Sequence, residues 1–141
     1  MKKTCHNSIV WSRMFPLPGW FGFTTSRVAF AKLMKQMGVQ ADFAGDGVAA
    51  RCTSFEPLQD KECEWHFIVT YDREAHEAAG NKPCQEAAVL AHEACHAYEQ
   101  MLGSIGAQDP GGELRAYCTQ RILQDMLQEL ADADAKGVAE L

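Results

Sequence analysis

Residues 83–102, PCQEAAVLAHEACHAYEQML, decide how the rest of the chain reads. Pro83 at a first helical position, an alanine- and leucine-rich body and Gly103 just beyond predict a helix over 83–102. Inside it, His92-Glu93-Ala94-Cys95-His96 sets two imidazoles at i and i+4, one above the other on a single face, where both can reach one ion. Zinc takes nitrogen and oxygen donors in a tetrahedral array, and a catalytic site keeps three protein ligands and a fourth position for water. Glu93, next to the first imidazole, is placed to take a proton from zinc-bound water as it attacks a polarised carbonyl. The competing reading is an amphipathic core helix whose histidines are satisfied by hydrogen bonds. Against it, Ala87, Ala88, Val89, Leu90 and Ala91 predict a largely buried helix, where two stacked histidines and a glutamate are costly without a shared partner.

The third ligand sets the class of site. Glu113 follows His96 after sixteen intervening residues, across a turn marked by Gly103, Gly106, Asp109, Pro110 and the Gly111-Gly112 pair, so a helical hairpin can bring it back over the histidines. It opens a last helix over 112–131 with Leu114, Tyr117, Cys118, Ile122, Met126 and Leu130 inward, and the tail after it is expected to fray. Glu113-Leu114-Arg115-Ala116-Tyr117 resembles the third-ligand helix of gluzincin metallopeptidases in its ExxA form. A capping carboxylate, favourable in the first turn of a helix, remains the alternative. Tyr117, one turn on, is the weaker candidate for a catalytic donor to the oxyanion, against an ordinary packing role.

Outward from this pair, residues 1–23 read as an aromatic loop, because WSRMFPLPGWFGF at 11–23 mixes glycines and prolines with aromatics. Thr24 or Thr25 caps a helix over 24–38 with Val28, Phe30, Ala31, Leu33, Met34 and Met37 on its apolar face and Gly38 as its stop. Val48–Phe55 and Cys63–Tyr71 read as two strands of a hairpin, within a 48–71 strand region. In the second, Trp65, Phe67 and Val69 alternate with His66, Ile68 and Thr70, which turns His66 to water rather than to metal. That strand is also the expected edge for an extended peptide. Asn81 is the expected cap before Pro83, and His76, in the polar segment ahead of it, is a weak second candidate for an oxyanion donor with a surface role preferred.

At 141 residues with 47% hydrophobic content, the chain suits a single domain with its own core, 1–141. A net charge of −6 argues against nucleic acid as a partner, since phosphate binding needs clustered lysine and arginine. No apolar run reaches the length of a membrane span or follows Met1-Lys2-Lys3 as a signal peptide would, so no membrane role and a cytoplasmic place are expected. The six cysteines form no CxxC pair, which predicts reduced thiols, with Cys95 and Cys118 packed as small apolar residues.

Residues 89–130, VLAHEACHAYEQMLGSIGAQDPGGELRAYCTQRILQDMLQEL, resemble the C-terminal half of small HExxH proteins encoded by tailed phages and prophages. Those typically read HEAVHxWQ, then a glycine and an acidic, proline-containing turn, then an EFEAYxIQ helix. MFPLPGWFGFTTSRVAFAKLMKQMG and GVAARCTSFE are similar to that family's aromatic opening, first helix and first strand. The resemblance implies an α+β, minimal zincin-like domain: an N-terminal helix, a short hairpin or small antiparallel sheet, then an HExxH helix and a C-terminal helix packed as a hairpin. It implies Zn2+ at His92, His96 and Glu113 with Glu93 as general base, in a metallopeptidase-like protein acting on a peptide or protein substrate. The other implied role is a zinc-stabilised, non-catalytic virion structural or assembly protein with phage structural proteins as partners. Either would be found in the bacterial host cytoplasm or the virion. Two departures stand out: Arg115 replaces a frequent second acid, and Tyr98-Glu99 replace a frequent Trp-Gln.

Overall fold

The computed structural model describes residues 9–13, 17, 19–45, 47–56, 64–108 and 111–139. The elements run β1 (Val10–Arg13), β2 (Trp20–Thr24), α1 (Arg27–Met37), β3 (Ala50–Phe55), β4 (His66–Tyr71), α2 (Arg73–Ala78), α3 (Pro83–Ser104) and α4 (Gly112–Ala139). This is an α+β arrangement around a four-stranded sheet of order β1-β2-β4-β3. β3 pairs with β4 antiparallel, as a hairpin requires, but β2 pairs with β4 parallel, so the sheet is mixed rather than antiparallel.

The stretch read as an aromatic loop supplies β1 and β2. Its glycines serve strand pairing: a Cβ on Gly22 would lie 2.6 Å from the ring of Trp11, its antiparallel partner. Gly19 has φ +98° and no room for a side chain against the Trp65 carbonyl, which accepts from the Trp20 amide at 2.9 Å.

Alternation along the strands sorts side chains to two covered faces. Phe21, Phe23, Phe67, Val69 and Tyr71 meet Leu90, Ala94, Ala97, Tyr98 and Met101 of α3 and Cys118, Ile122, Met126 and Leu130 of α4. Ile68 and Phe55 meet Ala29, Phe30, Leu33 and Met34 of α1 on the other face. Each large buried side chain contributes roughly 1.5–3 kcal/mol. A strand covered on both faces leaves no wet side for His66. Its ring sits between Trp11 (5.3 Å, edge-on) and Phe55 (5.5 Å, stacked), and its Nδ1 lies 2.9 Å from the Glu64 carbonyl. β4 is also interior to the sheet, so β3 is the edge on that side.

α1 begins later than Thr24 or Thr25: Ser26 is its cap, its hydroxyl accepting from the Ala29 amide at 3.1 Å, while buried Thr24 ends β2. Val28, expected on the apolar face, is 80% exposed. The polar segment before Pro83 holds α2, capped by Asp72. Asn81 bonds the His76 carbonyl instead of capping α3, whose first turn takes the Gln85 side chain on the Lys82 amide at 2.7 Å.

α3 and α4 pack as an antiparallel hairpin. Arg115 lies over the Tyr98 ring at 5.8 Å near one end of the pair. At the other end, Arg73 of α2 reaches Glu86 of α3 (3.1 Å) and Asp134 of α4 (2.6 Å). That bridge helps carry α4 to Ala139, well beyond residue 131 and through the tail expected to fray. Glu86 also accepts from the Tyr71 hydroxyl at 2.8 Å; burial, then that bond, raises the Tyr71 phenol far above its usual range.

Among the described residues no helix is long and apolar enough to cross a membrane. Of the opening aromatic residues, Phe21 is buried, Trp11 and Trp20 are half-buried, and Phe15 lies outside the described residues.

Candidate metal centre

The buried stripe of α3, Leu90, Glu93, Ala94, Ala97, Tyr98, Met101 and Leu102, follows the helical repeat against the sheet and α4. Two residues from Leu90 is about 200° round the helix, so His92 and, one turn later, His96 stand on the opposite face. Both are exposed, together with Cys95 and Glu99. The expectation that these histidines are buried fails. Ala87, Ala88 and Ala91, which suggested burial, are themselves half-buried or exposed and serve the helix, and the desolvation argument for a shared partner falls with that burial.

The rings nevertheless converge. Nε2 of His92 and Nε2 of His96 are 2.9 Å apart, with ring centroids 4.5 Å apart and planes at 83°. Zinc–nitrogen bonds of about 2.0–2.1 Å at a tetrahedral angle hold two ligating nitrogens about 3.3–3.4 Å apart. The pair therefore fits a divalent ion after a movement of roughly half an ångström. The same geometry suits an N–H···N bond between complementary neutral tautomers.

Glu93 is 7% exposed, one residue further round the helix, in the seam between α3 and β3. Cys52 of β3 shares that seam: its thiol lies 3.6 Å from the Gln100 side-chain oxygen, and burial, reinforced by the charge of Glu93, pushes it up to about 12. Cys52 is thus a packed, unreactive thiol at neutral pH. Glu93 and the edge strand β3 are accordingly neighbours.

Glu113 occupies the exposed first turn of α4. It is not gathered with the histidines: among the described residues, no three His, Cys, Asp or Glu side chains stand together as a metal-holding group. Tyr117, expected inward, is 58% exposed, because the inward stripe of α4 runs through Cys118, Ile122, Met126 and Leu130. It edges a shallow groove with Gln120, Arg121, Gln124 and Asp125. His76 holds the Tyr71 hydroxyl at 2.9 Å, and that hydroxyl donates to Glu86 of α3. Cys118 is buried as expected, with burial raising its thiol, whereas Cys95 is exposed. Cys52, Cys84, Cys95 and Cys118 are free thiols, and Cys5 and Cys63 lie outside the described residues.

One neighbour of the pair was missed from sequence. Glu99 Oε2 lies 4.0 Å from His96 Nδ1. The signal was available, since i and i+3 side chains meet on a helix.

No protein-family model matches the chain, nor does any curated protein or solved structure.

Proposed function

We propose that the chain is a small zinc-dependent, metallopeptidase-like protein of a tailed phage or prophage. The observation that carries this reading is the approach of two Nε2 atoms to 2.9 Å on one helical face. His92 and His96 would hold the ion, with Glu113 the proposed third ligand. Zinc there would supply a Lewis acid that polarises a peptide carbonyl and acidifies water. Glu93 takes the proton of the attacking water and delivers it to the departing amine. β3, the sheet edge sharing a seam with Glu93, offers backbone groups to an extended peptide. Tyr117 is the candidate donor to the oxyanion. The resemblance of residues 89–130 to small phage and prophage HExxH proteins supports the setting: host cytoplasm or virion.

The second reading of the same ligands is a zinc staple in a virion structural or assembly protein without turnover, which a closed fourth coordination position would favour. Elemental analysis of wild type beside His96→Ala and Glu113→Ala tests the shared premise. About one zinc per chain, lost in both variants, supports the ligand set; retention in Glu113→Ala removes Glu113 from it. Degradation of a peptide library by wild type and not by Glu93→Gln supports the peptidase, and equal inactivity of both supports the staple.

A further inference from the structure

The geometry points to Glu99 as a positioning residue that fixes His96 from behind, an inference that rests on the metal reading of His92 and His96. We propose that its carboxylate accepts the Nδ1–H of His96 and so holds the ring in the tautomer whose Nε2 lone pair faces the ion.

His96 has two ring nitrogens with different surroundings. Nε2 meets Nε2 of His92 at 2.9 Å, while Nδ1 is 4.0 Å from Glu99 Oε2. A neutral imidazole that offers a lone pair at Nε2 carries its proton on Nδ1. A carboxylate on that side keeps the proton there, orients the ring and makes Nε2 the stronger donor. Glu99 lies at i+3, and its side chain is 58% exposed, so rotation in solvent can close the remaining distance to a hydrogen bond.

The same placement separates this role from two others. A ligand would stand on the Nε2 side of the ring, and Glu99 stands at Nδ1. An ordinary ion pair needs a protonated imidazolium, whereas a histidine that ligates a metal is neutral. Glu93 cannot substitute, because it turns into the seam with β3.

The test uses the full chain and two probes, zinc and Co2+. Zinc affinity is measured by competition with a chromophoric chelator in wild type, Glu99→Gln, Glu99→Ala and His96→Ala. Glu99→Ala is expected to bind zinc about 10- to 100-fold more weakly than wild type. Glu99→Gln, whose amide oxygen still accepts the Nδ1–H without a charge, is expected to fall between them. Thermal midpoints of the metal-free proteins should coincide, and the Co2+ absorption of Glu99→Ala should keep the wild-type intensity.

Equal zinc affinity in wild type and Glu99→Ala would overturn the proposal while leaving the metal site intact. Loss of Co2+ intensity in Glu99→Ala to the level of His96→Ala would also overturn it, by making Glu99 a ligand. A folded wild type that binds neither probe removes the metal reading, and this inference with it.

Discussion

Helix α3 has two faces that answer to different demands. Its inner face, with Leu90, Ala94, Ala97 and Met101 fully buried, is the slab against which the sheet and α4 close. Its outer face, with His92, Cys95, His96 and Glu99 exposed, covers nothing. A residue on the inner face is tied to volume, because a close-packed interior cannot absorb a missing methyl group without loss. A residue on the outer face is tied to nothing in the fold, so a converging pair of imidazoles there is a feature the core does not require. Glu93 lies between the two regimes, carried inward by its place on the helix yet adjacent in sequence to the first histidine.

The sharpest cut through this contrast is a deletion on each face. Leu90→Ala should lower unfolding free energy by about 3 kcal/mol, the usual range for a buried leucine with a cavity left behind. His92→Ala and His96→Ala in metal-free protein should stay within about 0.5 kcal/mol of wild type. Urea unfolding measures both. Histidine variants as unstable as Leu90→Ala would mean that the outer face serves the core after all.

Adding zinc should give the outer face an effect of its own. At a free concentration of about a hundred times Kd, stability should rise by about 2.7 kcal/mol, because the ion binds only the folded state. Wild type and Leu90→Ala should gain alike and His96→Ala not at all, as followed by thermal shift. A gain in His96→Ala would show that the ion acts elsewhere.

How much of this was legible in sequence follows from the range of each interaction. Helices α1, α3 and α4 declare themselves because their period is local, and α4 even keeps its inward stripe of Cys118, Ile122, Met126 and Leu130. β1 and β2 do not. Gly22 reads as a loop residue until Trp11 is seen opposite it, and the parallel pairing of β2 with β4 spans more than forty residues. The i, i+4 histidines are legible as a pair, and their spacing from Leu90 carries their exposure, which the alanine-rich run around them masks. The position of Glu113 depends on a loop containing residues outside the described set, so no local rule fixes it.

Arg73 tests the end of α3 where the two faces meet. It has 21% side-chain exposure and joins α2 to Glu86 and to Asp134, which keeps the last turns of α4 beside the first turns of α3. Arg73→Ala should cost about 1–2 kcal/mol, between the values for exposed and buried ion pairs. Amide exchange should quicken first in residues 131–139. Unchanged exchange there would mean that apolar packing alone holds the end of α4.

The smallest expected effect is a pH dependence confined to the same periphery. Asp72 caps α2 by accepting from the Ala75 amide at 3.1 Å and takes Arg27 of α1 at 2.6 Å. The amide bond, then the guanidinium, hold its carboxyl below the usual carboxylate range; the Arg73 bond does the same to Asp134. A carboxyl with a lower pKa folded than unfolded adds stability fully present above the unfolded value, about 3.9, and loses it as pH falls through the folded one. Urea midpoints should therefore be flat from pH 7 to about 5 and decline below about 4. Asp72→Asn keeps a capping oxygen but not the charge, so it should shallow that decline while leaving the zinc response of the outer face intact. A decline of unchanged steepness would place the acid-sensitive groups elsewhere, and a lost zinc response would join α2 to the histidine face.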